Sequence, residues 1–351
     1  MDALTALVTG SGAPGIVGTI HSLRNNFDNR DIRVVGTDIK SDVIGSYLCE
    51  SFYSIPKPSE EAYLERLLSI CKKEKVDVLL PQNTLELPIL ANNKHLFLEN
   101  GTSVTISDAP AITVANDKHE LLKLAEKTGI PIPNYVLVEN FDSLIESASG
   151  MGWPDKPIVI KPPISNGMRG VRIIDESIDL KKMFFSEKPS SLYIKMRNLH
   201  EVLGNRFPPL LVMEYLPGVE YTVDILKGKD YTIIPRKRDV VKSGITFNGT
   251  VEHHEGLIDY ARKLSDVVGL DYAFGFQFKL DENETPKLLE CNPRVQGTMV
   301  LSTFAGANII YAAVKQALGE DVPNFDIEWG TRIMRYWGGM GIHNGKPMVS
   351  L

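Results

Sequence analysis

The sequence predicts a chain of two textures, an α/β part on a parallel sheet followed by an α+β part with antiparallel sheets. Three observations carry this. In the N-terminal third, short apolar runs alternate with helix-period segments, the pattern of right-handed βαβ units. From Pro157 the apolar runs lengthen and arrive in pairs, as hairpin strands do. The length, 351 residues, exceeds one ordinary domain and suggests two or three cores.

The first part reads element by element. Leu4 to Thr9 is a buried strand, Gly10-Ser11-Gly12-Ala13-Pro14-Gly15 a turn, and Ile16 to Arg24 a helix. A second strand runs from Ile32 to Gly36 and ends at Asp38. Helix (Glu60 to Lys73), strand (Val76 to Leu80), helix (Leu85 to Phe97) and strand (Val104 to Ser107) follow. The alternation makes a Rossmann-like parallel sheet over residues 1–112. Asn116-Asp117 then opens a helix from His119 to Thr128, stopped by Gly129 with Pro131 and Pro133 beyond. The second part pairs Ile158–Lys161 with Gly170–Ile174, and Leu210–Tyr215 with Tyr221–Leu226. Strands Phe274–Leu280 and Lys287–Asn292 close it as a hairpin over the polar loop Asp281 to Pro286.

Composition narrows the class without choosing a function. With 43% hydrophobic and 23% charged residues, the chain is neither collagenous nor disordered. A net charge of −6 argues against a dedicated nucleic-acid binder. Cys49, Cys71 and Cys291 lie too far apart for a disulfide framework or a zinc ribbon. The start Met1-Asp2 is acidic and the first Lys or Arg is Arg24, so no secretory leader is expected. Apolar runs are too short to cross a bilayer, and a cytoplasmic location is expected.

Gly10, Gly12 and Gly15 spell G-x-G-x-x-G between a strand and a helix, with Asp38 ending the next strand. That is the dinucleotide fingerprint, and it keeps an NAD-dependent oxidoreductase open as an alternative. Asp38 falls later than the usual spacing, and Pro14 removes a donor from the turn. Glycines serving packing alone are the plainer reading.

The strongest chemical signal is Gln277 with Glu290 and Asn292. Phe274, Phe276 and Phe278 alternate with Gln277, which leaves the strand on the opposite face. If Leu280 faces Lys287 across the loop, Gln277 faces Glu290 and Gly275 faces Asn292. One carboxylate and two amide oxygens then converge, a hard all-oxygen set suited to Mg²⁺, with Mn²⁺ as a substitute. A solvated hairpin face is the bland alternative. Arg294 follows at once and would stabilise charge on a transferring phosphoryl group. Lys161 ends an apolar strand, where a lysine calls for an anion. The loop Ser165-Asn166-Gly167-Met168-Arg169-Gly170 can fold over phosphates.

Taken together, these residues resemble the ATP-grasp superfamily, most closely the carbamoyl-phosphate synthase large-subunit branch of carboxylate–amine ligases. The resemblance covers residues 1–325. It implies a pre-ATP-grasp domain over 1–112 and a two-lobed ATP-grasp domain over 113–325 with a lid about 157–215. Residues 326–351 would form a tail packing on the ATP-grasp core. Lys118, Lys161, Gly167 and Gly170 are similar to the phosphate-binding groups. Glu214, Tyr215 and Leu216 look like the hinge that reads adenine, and Glu220 like the acid that takes the ribose hydroxyls. Gln277, Glu290 and Asn292 match the magnesium ligands, and Arg294 the catalytic arginine. Gln277 in place of a carboxylate fits this branch, whereas Met168 stands where the loop often carries a small residue. At this length one synthetase unit is expected, without glutaminase.

The resemblance implies phosphoryl transfer from ATP to a carboxylate, then amine attack on the acyl phosphate. An amino acid or similar small acid is the expected substrate, and a homodimer the assembly. Arg236, Lys237 and Arg238 would suit a carboxylate-bearing acceptor, or form a solvated basic run. His253-His254 reads as loop polarity, and Arg335-Tyr336-Trp337-Gly338-Gly339-Met340 has no assigned role. A nucleotide-binding regulatory protein without turnover is the third reading.

Overall fold

A computed structural model describes residues 2–165, 167–228, 230–242, 244–336 and 338–350. Asn166 of the glycine loop and Trp337 of the tail, like Met1, lie outside the described residues. The chain divides into two units. The first comprises 1–116, 220–277 and 291–351, the second 117–219 and 278–290.

The first unit opens with β1 (Leu4–Val8), β2 (Ile32–Asp38), β3 (Ser51–Ser54), β4 (Val78–Leu80) and β5 (Ser103–Val104). They form an all-parallel sheet in the order β3-β2-β1-β4-β5. The helix Ile16–Arg24 stands where its apolar spacing put it. Sequence reading misses β3, three half-buried residues and an exposed Ser54 without an apolar run. It also draws one helix over 85–97 where three pieces stand: a 3-10 turn Thr84–Glu86 and helices Leu87–Asn92 and Lys94–Glu99. The break falls at Asn92 and Asn93, whose amides donate back to the carbonyls of Pro88 and Ile89. Such local bonds compete with helix continuation. Leu4, Ala6, Val8, Ile16, Leu23 and Val34 pack with Ile309 to Val314 of the helix Ile309–Ala317 in one core.

The second unit carries β6 (Tyr135–Asn140), β7 (Ile158–Lys161), β8 (Arg172–Ile174), β9 (Tyr193–Ile194) and β10 (Arg206–Glu214), ordered β6-β10-β7-β8-β9. β7 and β8 pair antiparallel as expected, Ile158 opposite Ile174. The expected hairpin of Leu210–Tyr215 with Tyr221–Leu226 is corrected. β10 lies between β6 and β7, with Leu211 opposite both Leu137 and Lys161. The linker instead joins the turn after Phe278: Gly218 N–H donates to Leu280 O, and Leu280 N–H to Val219 O. A short Pro-Gly gap between apolar runs mimics a hairpin turn, and only sheet partners distinguish the two.

The first unit resumes with β11 (Glu220–Lys227), β12 (Tyr231–Lys242), β13 (Ile245–Val251), β14 (Tyr272–Leu280), β15 (Pro286–Asn292) and β16 (Arg332–Met334). Their order is β15-β14-β11-β12-β13-β16, the connecting end of β14 and β15 counting with the second unit. A hairpin, β17 (Met340–His343) with β18 (Lys346–Ser350), ends the chain. The mixed α/β and α+β architecture is therefore the one the sequence predicts. No helix among the described residues is long and apolar enough to cross a membrane.

Candidate active site

In the second unit the helix Lys118–Lys127 starts on Asp117, whose carboxylate accepts the N–H groups of His119 (2.8 Å) and Glu120 (3.2 Å). That cap fixes the first turn. Lys118 thereby points inward, 5% exposed, with Nζ 3.3 Å from Ser165 Oγ and 3.5 Å from Glu290 Oε2. Lys161, 6% exposed at the end of β7, donates to Leu289 O at 3.0 Å. Two ammonium groups thus reach adjacent residues of β15. Burying cations is costly without anions, and such a pair suits phosphate oxygens.

The turn beyond Lys161 needs its glycines. Gly167 and Gly170 have φ of +58° and +78°, and a Cβ on Gly170 would lie 2.6 Å from Pro162 Cγ. Met168 shares the left-handed region at φ +61°, which a side chain adopts at a cost of about 1 kcal/mol. At the end of β10, Glu214 accepts from Lys287 Nζ (2.5 Å) and from the backbone and side-chain nitrogens of Asn134 (3.1 and 3.2 Å). Tyr215 lies under Lys279, Nζ 5.4 Å from the ring centre, and Leu216 is buried.

In the first unit Phe274 and Phe276 are wholly buried and meet edge to face, while Gln277 is half-buried. Asn292 Oδ1 accepts from Arg294 Nη2 at 3.3 Å. Arg294 also donates through Nη1 to Val295 O (2.9 Å) and through Nε to Thr84 Oγ1 (3.3 Å). Glu220 pairs with Arg238, which further donates to Thr246 Oγ1 and Gly244 O. Among the described residues no cluster of three or more His, Cys, Asp or Glu side chains is placed to hold a metal ion. Gln277 and Asn292 of the first unit carry amide oxygens and Glu290 of the second a carboxylate, each a hard donor of the kind Mg²⁺ takes rather than a softer ion.

The basic run 236–238 is divided by strand alternation. Arg236 is 1% exposed and bound to Asp224, Nε to Oδ2 at 2.6 Å and Nη2 to Oδ1 at 2.7 Å. Lys237 is half-buried near Glu252 and Asp239, at 3.7 and 3.8 Å. Asp224 also accepts from Ser302 Oγ (2.7 Å) and Gln296 Nε2 (3.5 Å), joining β11 and β12 to the segment after Arg294. Sequence reasoning passes over Asp224 and Thr84. The signal for Asp224 is a lone carboxylate inside an apolar strand, Val223-Asp224-Ile225. His254 caps the helix Glu255–Val268, its Nδ1 accepting the Leu257 N–H.

The glycine turn after β1 is filled by the chain itself. Gly10 takes φ +60°, Asp38 Oδ2 accepts the Gly12 N–H at 2.8 Å, and a Cβ on Gly15 would lie 2.4 Å from Gly297 Cα. Gly12 and Gly15 are thus occupied by close approach of protein.

Comparison with known proteins agrees with these parts. Residues 7–105 match the PylC-like N-terminal domain. Residues 206–336 match the ATP-grasp domain described as belonging to the biosynthetic pathway with Ter operon. Carbamoyl phosphate synthase large chain of Clostridium acetobutylicum is 22% identical over 275 residues, 75% of this chain and 24% of that protein. The chain spans about a quarter of the length of such curated relatives. The biotin carboxylase domain dimer of Hydrogenobacter thermophilus 2-oxoglutarate carboxylase, solved with MgADP and bicarbonate, superposes with a TM-score of 0.68 at 16% identity. It covers 94% of this chain and 73% of its own. L-amino acid ligase from Bacillus licheniformis gives 0.62 at 12% identity, covering 91% and 75%.

Proposed function

We propose that this chain, in which a PylC-like N-terminal domain precedes an ATP-grasp domain, is an ATP-dependent carboxylate–amine ligase. It would join an amino acid or similar small carboxylic acid to an amine through an acyl phosphate, releasing ADP. The observation that carries the reading is the pair of buried ammonium groups, Lys118 and Lys161, reaching Glu290 and Leu289 of one strand. The likeness to an L-amino acid ligase supports the substrate class.

In this reading Lys118 and Lys161 hold the triphosphate, with Gly167 and Gly170 shaping the turn over it. The Glu214–Leu216 segment receives adenine, and Glu220 the ribose hydroxyls. Gln277, Glu290 and Asn292 are the residues that would hold Mg²⁺, which supplies charge neutralisation on the phosphates. Arg294 offers two terminal N–H groups to the transferring phosphoryl group, where positioning and electrostatics dominate the rate. The chemistry proceeds in two balanced steps. A carboxylate oxygen attacks the γ-phosphorus and ADP leaves; the amine then attacks the acyl carbon, phosphate leaves, and the amine loses a proton. The location read from the sequence, the cytoplasm, and a homodimer complete the proposal.

ADP release, measured with Mg·ATP across a panel of amino acids and small acids with and without amines, tests it. ADP formed only with an acid and an amine supports the ligase. Nicotinamide reduction without ADP would end the reading, and ATP bound tightly without ADP formation would replace it by a regulatory one.

A further inference from the structure

The role given to Arg294 raises the question of what aims a side chain with about 2 kcal/mol of rotamer entropy. In the parallel sheet the strand order reverses between β1 and β4, so the loops leaving their carboxyl ends flank a switch point. Both loops are tied by Glu86, which is wholly buried at the start of the segment after β4. Its carboxylate accepts the hydroxyls of Thr9 and Tyr63, each at 2.5 Å, and the backbone N–H groups of Gln82 (3.0 Å) and Asn83 (2.8 Å). Asn83 caps the same turn through the Leu85 N–H at 3.1 Å, and Gln82 Nε2 donates to Thr19 Oγ1. Four donors on one carboxylate leave the turn little freedom. Thr84 sits inside this fixed turn, 9% exposed, and its hydroxyl accepts Arg294 Nε at 3.3 Å. The arginine's own loop is pressed on the same unit at Gly297 against Gly15.

We propose that Thr84 is a positioning residue for Arg294, so that the parallel-sheet part of the chain aims the arginine of phosphoryl transfer. The inference rests on the role proposed for Arg294. Anchoring at Nε, together with the Nη1 bond to Val295 O, fixes the guanidinium plane and so the direction in which the arginine presents its charge. Were the Asn292 amide to hold Mg²⁺, its bond with Nη2 would be the one affected, whereas the Nε bond to Thr84 involves neither that amide nor the other proposed metal ligands.

The test uses the full chain with Thr84→Val and Thr84→Ala, which lack the acceptor, Thr84→Ser, which keeps it, and Arg294→Lys, which assigns the signal. Nitrogen-15 relaxation of the Arg294 Nε–H in the free protein reads the anchor without any turnover. A rigid signal in wild type and Thr84→Ser that becomes mobile in Thr84→Val and Thr84→Ala is expected. With Mg·ATP and the acid–amine pair most active in the panel, kcat should fall about tenfold in the acceptor-less variants. KM for ATP should stay within about twofold, because geometry and not binding is lost. An equally rigid Nε–H in all variants overturns the proposal. Wild-type turnover in Arg294→Lys would instead remove the role of the guanidinium, while the relaxation data still decide the anchor.

Discussion

The ammonium nitrogen of Lys118, on the first turn of its helix, stands 3.5 Å from Oε2 of Glu290 on β15. Residues 172 positions apart in sequence thus form one charged locus, and the carboxylate there remains partly exposed, 29% by side chain. Glu290→Ala should abolish Mg·ATP turnover, lowering kcat by about a hundredfold or more, since preorganised charge is the main source of rate in phosphoryl transfer. The circular-dichroism spectrum should be unchanged. Wild-type rates in this variant would end the metal assignment.

Gly15→Ala tests the glycine turn. Its Cβ would fall 2.4 Å from Gly297 Cα, backbone against backbone, so neither side can yield by a rotamer change. Overpacking of this kind costs about 1–3 kcal/mol, read as a lower urea midpoint. An unchanged midpoint would mean that the Gly297 segment moves freely away.

Arg236 should behave as a structural residue. Its guanidinium is committed to Asp224 in the core, and truncating one member of a buried pair costs about 3–5 kcal/mol. Arg236→Met is expected to lose stability in denaturant unfolding, with part regained in the double variant Asp224→Asn/Arg236→Met. A raised KM for the carboxylate substrate at wild-type stability would return Arg236 to the binding site.

Glu86 sets a pH dependence. Burial pushes its carboxyl above the ordinary value of 4.5, and the hydrogen bonds from Thr9, Tyr63, Asn83 and Gln82 oppose that rise without cancelling it. The native state therefore holds the proton more tightly than the unfolded chain. This contribution to stability is complete below pH 4.5 and is lost as pH rises through the native value. Relative to wild type, Glu86→Gln should flatten the stability–pH curve across that window. Parallel curves would show that Glu86 ionises alike in both states.

Much of this molecule is local in origin. The parallel sheet and its helices follow from apolar periodicity, and β7, β14, β15 and the helix after Asp117 from alternation and a capping residue. Lys161, Glu290, Asn292 and Arg294 stood out as candidates because their residue types are unusual beside apolar strands, and Lys118 was singled out only by the family resemblance. What sequence could not supply is the partner of each group. Two runs separated by Leu216-Pro217-Gly218-Val219 look like a hairpin until β10 is seen between β6 and β7. Arg236, Lys237 and Arg238 look like one basic patch until β12 turns Arg236 onto Asp224. Gly10, Gly12 and Gly15 look like a dinucleotide site until Asp38 and Gly297 close on them. The sequence by itself determined most of the elements and singled out candidate side chains, because propensity and alternation act over neighbouring residues. Tertiary structure alone decided which carboxylate neutralises which cation and what holds Arg294, because those contacts join residues 12 to 210 positions apart.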